Sequence, residues 1–306
     1  MLPRSRIILQ AGSLVLFLVS AVSWFYWTNN DRFELRDSNS CTKDCVPNIV
    51  HYIIFGKNSL DFISYLSILS VLKVQKPEQL LIHSDSPDFE GNYWLAIKSA
   101  PFNDTSIHVS LLEQPTHVFG QRLSSVYHSA DVARIQILMQ HGGIYLDTDM
   151  LVLRSLDRYR NSEMVVAWPY GEYIGNQILI ASKNAKFLSM WLNSYRSYHP
   201  REWYYNAGKV PTEQILQKHP ELAHREHFAF GVTNLGANLY GASPWPQWRL
   251  LSAVHLLSRH PPAPQHLDEK FVRTYRSPFG EISRWLLYKL KPRVVIPNSN
   301  VSTASV

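Results

Sequence analysis

The sequence predicts an α/β fold in which a mostly parallel sheet is covered by helices. Short apolar, β-branched segments alternate with segments of helical periodicity, and this alternation repeats three times between residues 49 and 146. The composition is that of a globular domain, since 45% of the 306 residues are hydrophobic and 18% are charged. The net charge of +6 suits an anionic ligand or an anionic membrane surface. No Lys/Arg run is dense enough to predict a nucleic-acid partner.

Each element follows from a local pattern. The segment 49–55 is apolar and β-branched and ends at Gly56, which predicts a buried strand, and Ser59 is a candidate cap for the next helix. Gly142 and Gly143 predict the end of a long helix. The predicted strands are 49–55, 80–82, 107–112, 144–146, 164–168 and 177–180. The predicted helices are 60–75, 92–100, 124–141, 185–198 and 212–217, and we make no assignment from residue 244 onward.

The N-terminal segment predicts a membrane anchor. Residues 7–27 form an almost uncharged apolar stretch, long enough to span a bilayer core of roughly 30 Å. Arg4 and Arg6 precede it, so the positive-inside rule keeps residues 1–6 in the cytoplasm and places the remainder in the lumen. A cleaved signal peptide, with Val19-Ser20-Ala21 as cleavage site, is the alternative. Both interpretations predict delivery to the secretory pathway.

The remaining chain divides into three parts. Residues 28–46 are a polar stem, residues 47–290 are the folded luminal domain, and residues 291–306 are a C-terminal tail. Cys41 and Cys45 could close a small disulfide loop in an oxidising lumen, because no further metal ligands accompany them. Two N-glycosylation sequons give weak support to the luminal interpretation, and they begin at Asn103 and Asn300.

Two acidic residues follow the predicted strand 144–146. In an extended chain Asp147 and Asp149 point to the same side, while Thr148 points to the other. Two like charges so close repel one another unless a cation compensates them. Mn²⁺ and Mg²⁺ prefer carboxylate oxygens and also bridge substrate phosphates. The pair therefore predicts a metal–diphosphate site, and the alternative is a solvated turn that carries two aspartates.

The helix before this motif carries a second charged pair. Asp131 and Arg134 are three residues apart and so share one helix face. One interpretation is a surface ion pair of little energetic value. The other is that both side chains point into a cleft, where Asp131 accepts sugar hydroxyls and Arg134 binds diphosphate or sugar oxygens. Spacing leaves both alternatives open.

The segment from Ser129 to Asp149 resembles the sugar-binding region of the Asp-x-Asp glycosyltransferases. It is most similar to glycosyltransferase family 32, which includes α-1,4-galactosyl-, α-1,4-N-acetylglucosaminyl- and fungal α-1,6-mannosyltransferases. The resemblance extends more loosely over most of residues 47–260, through the segments 47–52 and 176–181. It implies a GT-A fold, retention of anomeric configuration, Mn²⁺ dependence, a nucleotide-sugar donor (by resemblance a UDP-sugar), a glycan acceptor on lipid or protein, and a Golgi location.

The resemblance also assigns roles by position. Asp149 would ligate the metal, and Asp147 would contact the ribose, the metal or both. Asp131 and Arg134 would hold the donor sugar and phosphates. The remaining roles are Tyr145 lining the nucleotide pocket, Asn176 facing the donor sugar, and His255 completing the metal shell, with His227 and His260 as alternatives.

The sequence departs from the family pattern in two places. Many relatives carry a tryptophan in the first strand near the nucleotide base, where this chain offers Tyr52 or Phe55 instead. The usual late His-x-x-x-x-Trp arrangement is also absent, since His255 is followed by the segment 256–260, LLSRH.

Two other functions compete with transfer. A phosphatase with an aspartate nucleophile also places Asp-x-Asp after an apolar strand. Such enzymes normally have Thr or Val two residues after the second aspartate, whereas Met150 and Leu151 follow here, and the helix that carries Asp131 and Arg134 would have no role. A lectin-like relative that binds sugar or metal without transfer is the second alternative.

Overall fold

The computed structural model describes residues 45–102 and 104–288. The strands are β1 (Ile49–Ile54), β2 (Gln79–Ser84), β3 (Ser106–Leu111), β4 (His117–Val118), β5 (Gln121–Arg122), β6 (Gly143–Leu146), β7 (Met150–Val152), β8 (Met164–Ala167), β9 (Gly175–Ala181), β10 (His224–Glu226) and β11 (Ala253–His255). The α-helices are α1 (Phe62–Ser70), α2 (Asn92–Ser99), α3 (Val126–His141), α4 (Lys186–Ser194), α5 (Gly236–Tyr240), α6 (Glu269–Thr274) and α7 (Pro278–Tyr288). Shorter 3₁₀ and π turns are Val71–Gln75, Asp157–Tyr159, Tyr195–Ser197, Tyr205–Lys209, Pro211–Leu216, Pro220–Leu222 and Pro246–Leu250.

Seven strands form the central sheet in the order β10-β8-β9-β6-β1-β2-β3. The pairs β6–β1, β1–β2, β2–β3 and β10–β8 are parallel. Strand β9 is antiparallel to both of its neighbours, β6 and β8. Six of the seven strands therefore run in one direction, which confirms the predicted α/β class and the mostly parallel sheet. Two smaller pairs, β7–β11 and β4–β5, lie outside this sheet.

Both faces of the sheet are buried, so its central strands are apolar on both sides. Tyr145 of β6 packs into one core with Trp191 of α4, whereas its neighbours Ile144 and Leu146 pack into the opposite core with Trp94 of α2. A third core lies between α1, α7 and the β7–β11 pair. The alternation of side chains along β6 explains why this strand lacks a polar face in the sequence.

The first helix differs from its prediction. It begins at Phe62 because the Asp61 carboxylate accepts a hydrogen bond from the Ser64 amide at 2.8 Å, so Asp61 and not Ser59 is the cap. Regular α-helix ends at Ser70, and one π turn continues to Gln75 before Lys76 adopts a left-handed conformation. The predicted 60–75 segment is helical for most of its length but not a single α-helix.

The predicted anchor, residues 7–27, lies outside the described residues, as do residues 1–6, most of the stem and the tail 291–306. No α-helix in the part of the chain that the structure describes has the length and apolar character to cross a bilayer. Cys41, Asn103 and Asn300 also lie outside it. Cys45 is a described residue and is disulfide-bonded, which supports the predicted loop, whereas the two sequons stay predictions.

The end of α3 and the start of β6 depend on two glycines with positive φ. Gly142 has φ of 66° and Gly143 has φ of 111°. A Cβ atom on Gly143 would lie 2.6 Å from the Ile49 carbonyl oxygen and 2.8 Å from the imidazole of His51. Only glycine allows the start of β6 to lie this close to β1.

We expect Gly143→Ala to lower the free energy of unfolding by about 3 kcal/mol or more, because backbone strain and a collision with β1 act together. Gly171→Ala is the matched control. Gly171 also has positive φ, at 75°, but a Cβ atom there meets no atom within 4 Å. Gly171→Ala should lower the free energy of unfolding by only about 1–2 kcal/mol, because backbone strain acts alone there. Urea denaturation of both purified variants measures the difference, and equal losses would contradict the close-approach argument.

Beside Gly142, the sheet contains two buried histidines. Nε2 of His51 lies 2.8 Å from the Gly142 carbonyl oxygen, which can only accept, so Nε2 carries the proton. Nδ1 of His51 then accepts from Nε2 of His83 at 3.0 Å. Burial, with the neighbouring His83, lowers the pKa of His51 to about 3, and burial, with His141, lowers the pKa of His83 to about 4. Both rings are neutral in the folded protein at neutral pH.

Acidification should therefore destabilise the protein. The unfolded chain takes up protons on these histidines near pH 6.5, whereas the folded chain takes them up only near pH 3 to 4, so stability falls as pH drops through this window. Each histidine contributes up to about 1.4 kcal/mol per pH unit. His83→Gln should flatten the pH dependence of the urea midpoint between pH 7 and 5, whereas the exposed His117→Gln should leave it unchanged. An unchanged slope in His83→Gln would refute this account.

Candidate active site

Asp147, Thr148 and Asp149 form a tight turn between β6 and β7. The Met150 amide donates to the Asp147 carbonyl at 3.0 Å, and the Asp147 amide donates to the Gln177 carbonyl of β9 at 2.8 Å. The prediction of an extended chain from Asp147 to Asp149 is therefore wrong, because β6 ends at Leu146. The turn nevertheless brings the carboxylates together: one ligand atom each from Asp147, Asp149 and His255 lie within 4.8 Å of one another.

His255 reaches this turn through the β7–β11 pair. It is the last residue of β11 and lies opposite Met150, the first residue of β7. The Leu256 amide donates to the Asp149 carbonyl at 3.0 Å, which fixes the two segments at the point where they leave the ladder. Nε2 of His255 lies 3.2 Å from Oδ1 of Asp149. Pairing between two strands that are distant in sequence thus places the imidazole beside the motif.

Asp149 and His255 act on each other's protonation. Burial favours the neutral carboxylic acid of Asp149, but the hydrogen bond and charge of His255 outweigh it and lower the pKa of Asp149 below its ordinary value. Burial likewise lowers the pKa of His255, but the hydrogen bond and charge of Asp149 raise it above the usual value. Among the described residues, Nδ1 of His255 has no hydrogen-bond partner.

These three side chains fit a divalent cation. Two carboxylates and one imidazole form a mixed oxygen and nitrogen donor set, which suits Mn²⁺ and accommodates Mg²⁺ less well because Mg²⁺ prefers oxygen ligands. Nε2 of His255 faces Oδ1 of Asp149, so a cation held by both side chains would displace a proton from this pair. The metal role of each residue stays a prediction.

Arg134 lies beneath the motif at the centre of a buried network. Its Nη2 lies 3.1 Å from Oδ1 of Asp131, and its Nη1 lies 3.4 Å from Oδ1 of Asp147. Nη1 also donates to the Asn176 carbonyl at 2.7 Å. The side chains of Arg134 and Asp131 are only 6% and 10% exposed, so the alternative of a surface ion pair is wrong.

The remaining members of the network orient its charges. The Tyr145 hydroxyl donates to Oδ1 of Asp147 at 2.6 Å, and the Arg134 guanidinium lies 4.6 Å from the Tyr145 ring centre. The Asn176 amide donates to Oδ1 of Asp131 at 2.8 Å. Burial raises the pKa of Asp131, and the charge of Arg134 opposes this shift. Asp131 and Asn176 are thus bound to protein groups, and their predicted contacts with sugar stay predictions.

A cavity of about 340 Å³ opens above this network. Its lining includes Arg134, Tyr145, Asp147, Asp149 and His255. Most of the residues predicted to contact donor or metal thus share one cleft. The rest of the wall is formed by Ile53, Ile54, Phe55, Lys57, Ser59, Ser64, Val126, Tyr127, Ala130, Thr148, Trp203, Leu257, Arg259 and His260.

Tyr52 does not line this cavity, so its predicted contact with the donor is wrong. The side chain is fully buried on the other face of β1, where its hydroxyl lies 3.0 Å from the Ser67 hydroxyl. Phe55, the alternative, follows β1 and lines the cavity. Of the alternative histidines, His260 lines the cavity without joining the metal cluster, and His227 stacks on Tyr170 outside the cavity.

Arg259, Tyr127 and Trp203 are among the cleft residues for which the sequence predicted no role. Arg259 follows His255 by four positions, which could have suggested a shared loop. Tyr127 precedes Ala130 and Arg134 by three and seven positions, the spacing of one helix face. Trp203 lies in an irregular segment, and no sequence pattern indicates its position.

Comparisons with known proteins point to one class of enzyme. A family model described as "Glycosyltransferase sugar-binding region containing DXD motif" matches residues 78–166. "Glucan organizing enzyme 1" of Cryptococcus neoformans var. grubii is 28% identical over 282 residues, covering 83% of this chain and 68% of that protein. "Lactosylceramide 4-alpha-galactosyltransferase" of Mus musculus is 28% identical over 124 residues, covering 39% of this chain but only 33% of that enzyme. These matches confirm the predicted resemblance.

Solved glycosyltransferase structures overlap this chain only in part. GlyE of Streptococcus pneumoniae gives a TM-score of 0.47 at 12% identity, over 77% of this chain and 60% of that one. A galactosyltransferase LgtC complex with donor and acceptor sugar analogues gives a TM-score of 0.42 at 14% identity, over 82% and 98% of the two chains. The sheet order and the strand directions define the fold.

We expect Arg134→Met to lower the free energy of unfolding by about 3–5 kcal/mol, because it leaves the Asp131 carboxylate buried without its cation. Urea denaturation measures the loss. Arg273→Met is the matched control: Arg273 forms an exposed ion pair with Glu269, so its removal should cause no measurable change.

The double variant Asp131→Asn/Arg134→Met should lose less free energy of unfolding than the sum of the losses in the two single variants. It removes the uncompensated charge, while the oxygen of the introduced amide can still accept from Asn176. Strict additivity would show that Arg134 does not act through Asp131.

Proposed function

We propose that this chain, a glycosyltransferase of the family 32 type, is a metal-dependent, retaining enzyme of the Golgi membrane. It transfers a hexose or an N-acetylhexosamine from a nucleotide-sugar, by resemblance a UDP-sugar, to a glycan on lipid or protein. The observation that carries the proposal is the convergence of Asp147, Asp149 and His255 beside Arg134 in one cleft.

The metal would be held by Asp149, His255 and Asp147. A bound Mn²⁺ or Mg²⁺ supplies Lewis-acid stabilisation of the negative charge that grows on the leaving diphosphate. Within the protein, the turn at Asp147 and the β7–β11 pair hold the three side chains before any ligand binds. Such preorganisation means that little reorganisation is needed during the reaction.

Arg134 contributes a fixed positive charge on the same side of the cleft. The Asn176 carbonyl and the Tyr145 ring hold its guanidinium in one orientation. The Tyr145 hydroxyl also donates to Oδ1 of Asp147, the same oxygen that faces Arg134, which holds that carboxylate in place. Arg134 would bind donor phosphate or sugar oxygens and position the donor for transfer. We assign no general base to the protein, since the leaving phosphate can accept the acceptor's proton in retaining enzymes of this type.

The donor and acceptor classes are supported by the names of the relatives. The mouse relative is named as a galactosyltransferase that acts on lactosylceramide, and the fungal relative is named for glucan organisation. Both names point to carbohydrate acceptors. The membrane topology is supported by the apolar segment 7–27 and its flanking arginines. The Golgi location is supported by the family resemblance.

We expect Asp149→Ala to reduce transfer at least about 100-fold with little loss of stability, because it removes a ligand from a partly exposed site. The measurement is the release of nucleoside diphosphate by the purified full-length chain, in a screen of UDP-sugars with Mn²⁺. Chelation with EDTA should abolish the wild-type signal, and added Mn²⁺ should restore it.

Asp104→Ala, at an exposed aspartate outside the cleft, should behave as wild type. A folded Asp149→Ala enzyme with wild-type activity would refute the metal assignment. A wild-type chain that binds Mn²⁺ and a UDP-sugar but releases no nucleotide with any sugar would instead indicate the lectin-like alternative.

A further inference from the structure

Two aromatic side chains stand exposed at the rim of the cleft. Tyr127, in the first turn of α3, is 46% exposed, and Trp203, in the segment after α4, is 61% exposed. Their ring centres are 5.0 Å apart, and the rings meet edge to face at 71°. Both line the same cavity as Asp147, Asp149 and His255. Large aromatic side chains that remain exposed in a concave site usually mark a binding surface.

The exposure of Trp203 does not come from a loose segment. Its neighbour Tyr204 donates from its hydroxyl to the Ile174 carbonyl at 2.6 Å. Four residues before Trp203, the His199 amide donates to Oδ1 of Asn206 at 2.9 Å. Residues on both sides of Trp203 are therefore held by hydrogen bonds, while the Trp203 side chain itself remains mostly exposed. A large apolar surface is left in water at a position that the fold fixes, which costs stability and needs a compensating use.

Tyr127 is fixed in a similar way. Nη1 of Arg259 donates to the Tyr127 hydroxyl at 3.1 Å, so the loop that follows β11 is linked to the first turn of α3. His128, the next residue, is buried, and its ring centre lies 5.8 Å from that of Trp203. The two aromatic rings thus form one wall of the cleft, which we call the aromatic rim.

We infer that the aromatic rim, Tyr127 and Trp203, binds a pyranose ring of the acceptor glycan; this inference rests on the proposed function. The C–H face of a pyranose is apolar and packs flat against an aromatic ring, while its hydroxyls at the edge remain free to bond with water or with protein groups. Stacking of this kind recognises a sugar without requiring charge. It therefore suits a neutral acceptor.

The metal-binding carboxylates and Arg134 lie at the base of the cleft, whereas the guanidinium at the rim, that of Arg259, donates to the Tyr127 hydroxyl. An anionic nucleotide diphosphate is drawn to the cationic and metal-binding groups at the base, where Arg134 lies beside Asp147. The aromatic rim instead lies at the mouth, where a glycan attached to lipid or protein enters. An acceptor stacked there would present a hydroxyl toward the motif, across the remaining width of the cavity.

The test separates binding of the acceptor from use of the donor. Trp203→Ala and Tyr127→Ala should raise the KM for the acceptor about 10-fold or more, which corresponds to about 1.4 kcal/mol of lost binding energy. They should leave donor hydrolysis in the absence of acceptor, and its KM for the donor, within about twofold of wild type. Trp203→Phe, which keeps an aromatic face, should recover most of the acceptor affinity. Tyr170→Ala is the matched control, because Tyr170 is 77% exposed but lies outside the cleft.

A binding measurement keeps the test independent of turnover. Saturation-transfer NMR with lactose, N-acetyllactosamine and maltose should detect sugar bound to the wild-type chain and to Tyr170→Ala, and should lose that signal in Trp203→Ala. If no variant releases nucleotide but this pattern holds, the proposed function fails while the aromatic rim remains a sugar site.

Three results would overturn the inference. Wild-type and Trp203→Ala proteins could give the same acceptor KM and the same NMR signal. Donor hydrolysis could fall as much as transfer, which would assign the rim to the donor. Finally, the substitutions could reduce binding to phosphatidylcholine vesicles while sugar binding is unchanged, which would make the rim a membrane contact.

Discussion

The close approach of two carboxylates at the end of β6 is the constraint on which the rest of the site depends. Asp147 and Asp149 are held beside each other by a turn, and each has a positive or proton-carrying partner. Arg134 compensates Asp147 from below, and His255 pairs with Asp149 from the side. Without such partners the repulsion and the burial of charge would oppose folding. A cation bound between the carboxylates relieves the same repulsion.

The fold supplies these partners from distant parts of the chain. The antiparallel strand β9 carries Asn176 to the guanidinium of Arg134, and the carbonyl of Gln177 accepts from the Asp147 amide. The β7–β11 pair delivers His255. The parallel strands β1 and β6 place their carboxyl ends at one edge of the sheet, where α/β folds commonly bind ligands. The cleft opens at this edge, so the same topology builds the charged base and the aromatic rim.

Much of this arrangement could be predicted from residues close together in sequence. Local patterns of burial and backbone conformation mark the strand 144–146, the helix before it and the two glycines between them. The positions of these elements, and of Asp131 and Arg134 on the helix, could therefore be predicted from the sequence. The resemblance to family 32 added His255 to the predicted metal ligands. The structure confirms that these side chains lie together, although it replaces the extended strand at Asp147 with a turn.

What the sequence could not specify depends on register and on long-range packing. The alternation of side chains along β1 does not show which face of the strand meets the cleft. In the structure Tyr52 lies in the core, whereas Phe55 lines the cavity. A one-residue change of phase in a strand exchanges its two faces. Trp203 lies in an irregular segment whose position is set by single hydrogen bonds of its neighbours. No periodicity in the sequence encodes such contacts.

The most direct measurement of the central claim is an anomalous-difference map from a crystal of the chain grown with Mn²⁺ and UDP. The account predicts a Mn²⁺ peak within coordination distance of Asp149 and His255, with the diphosphate on the open side of the ion and Arg134 still paired with Asp147. A peak elsewhere, with His255 still hydrogen-bonded to Asp149 and the diphosphate bound away from the turn, would contradict it.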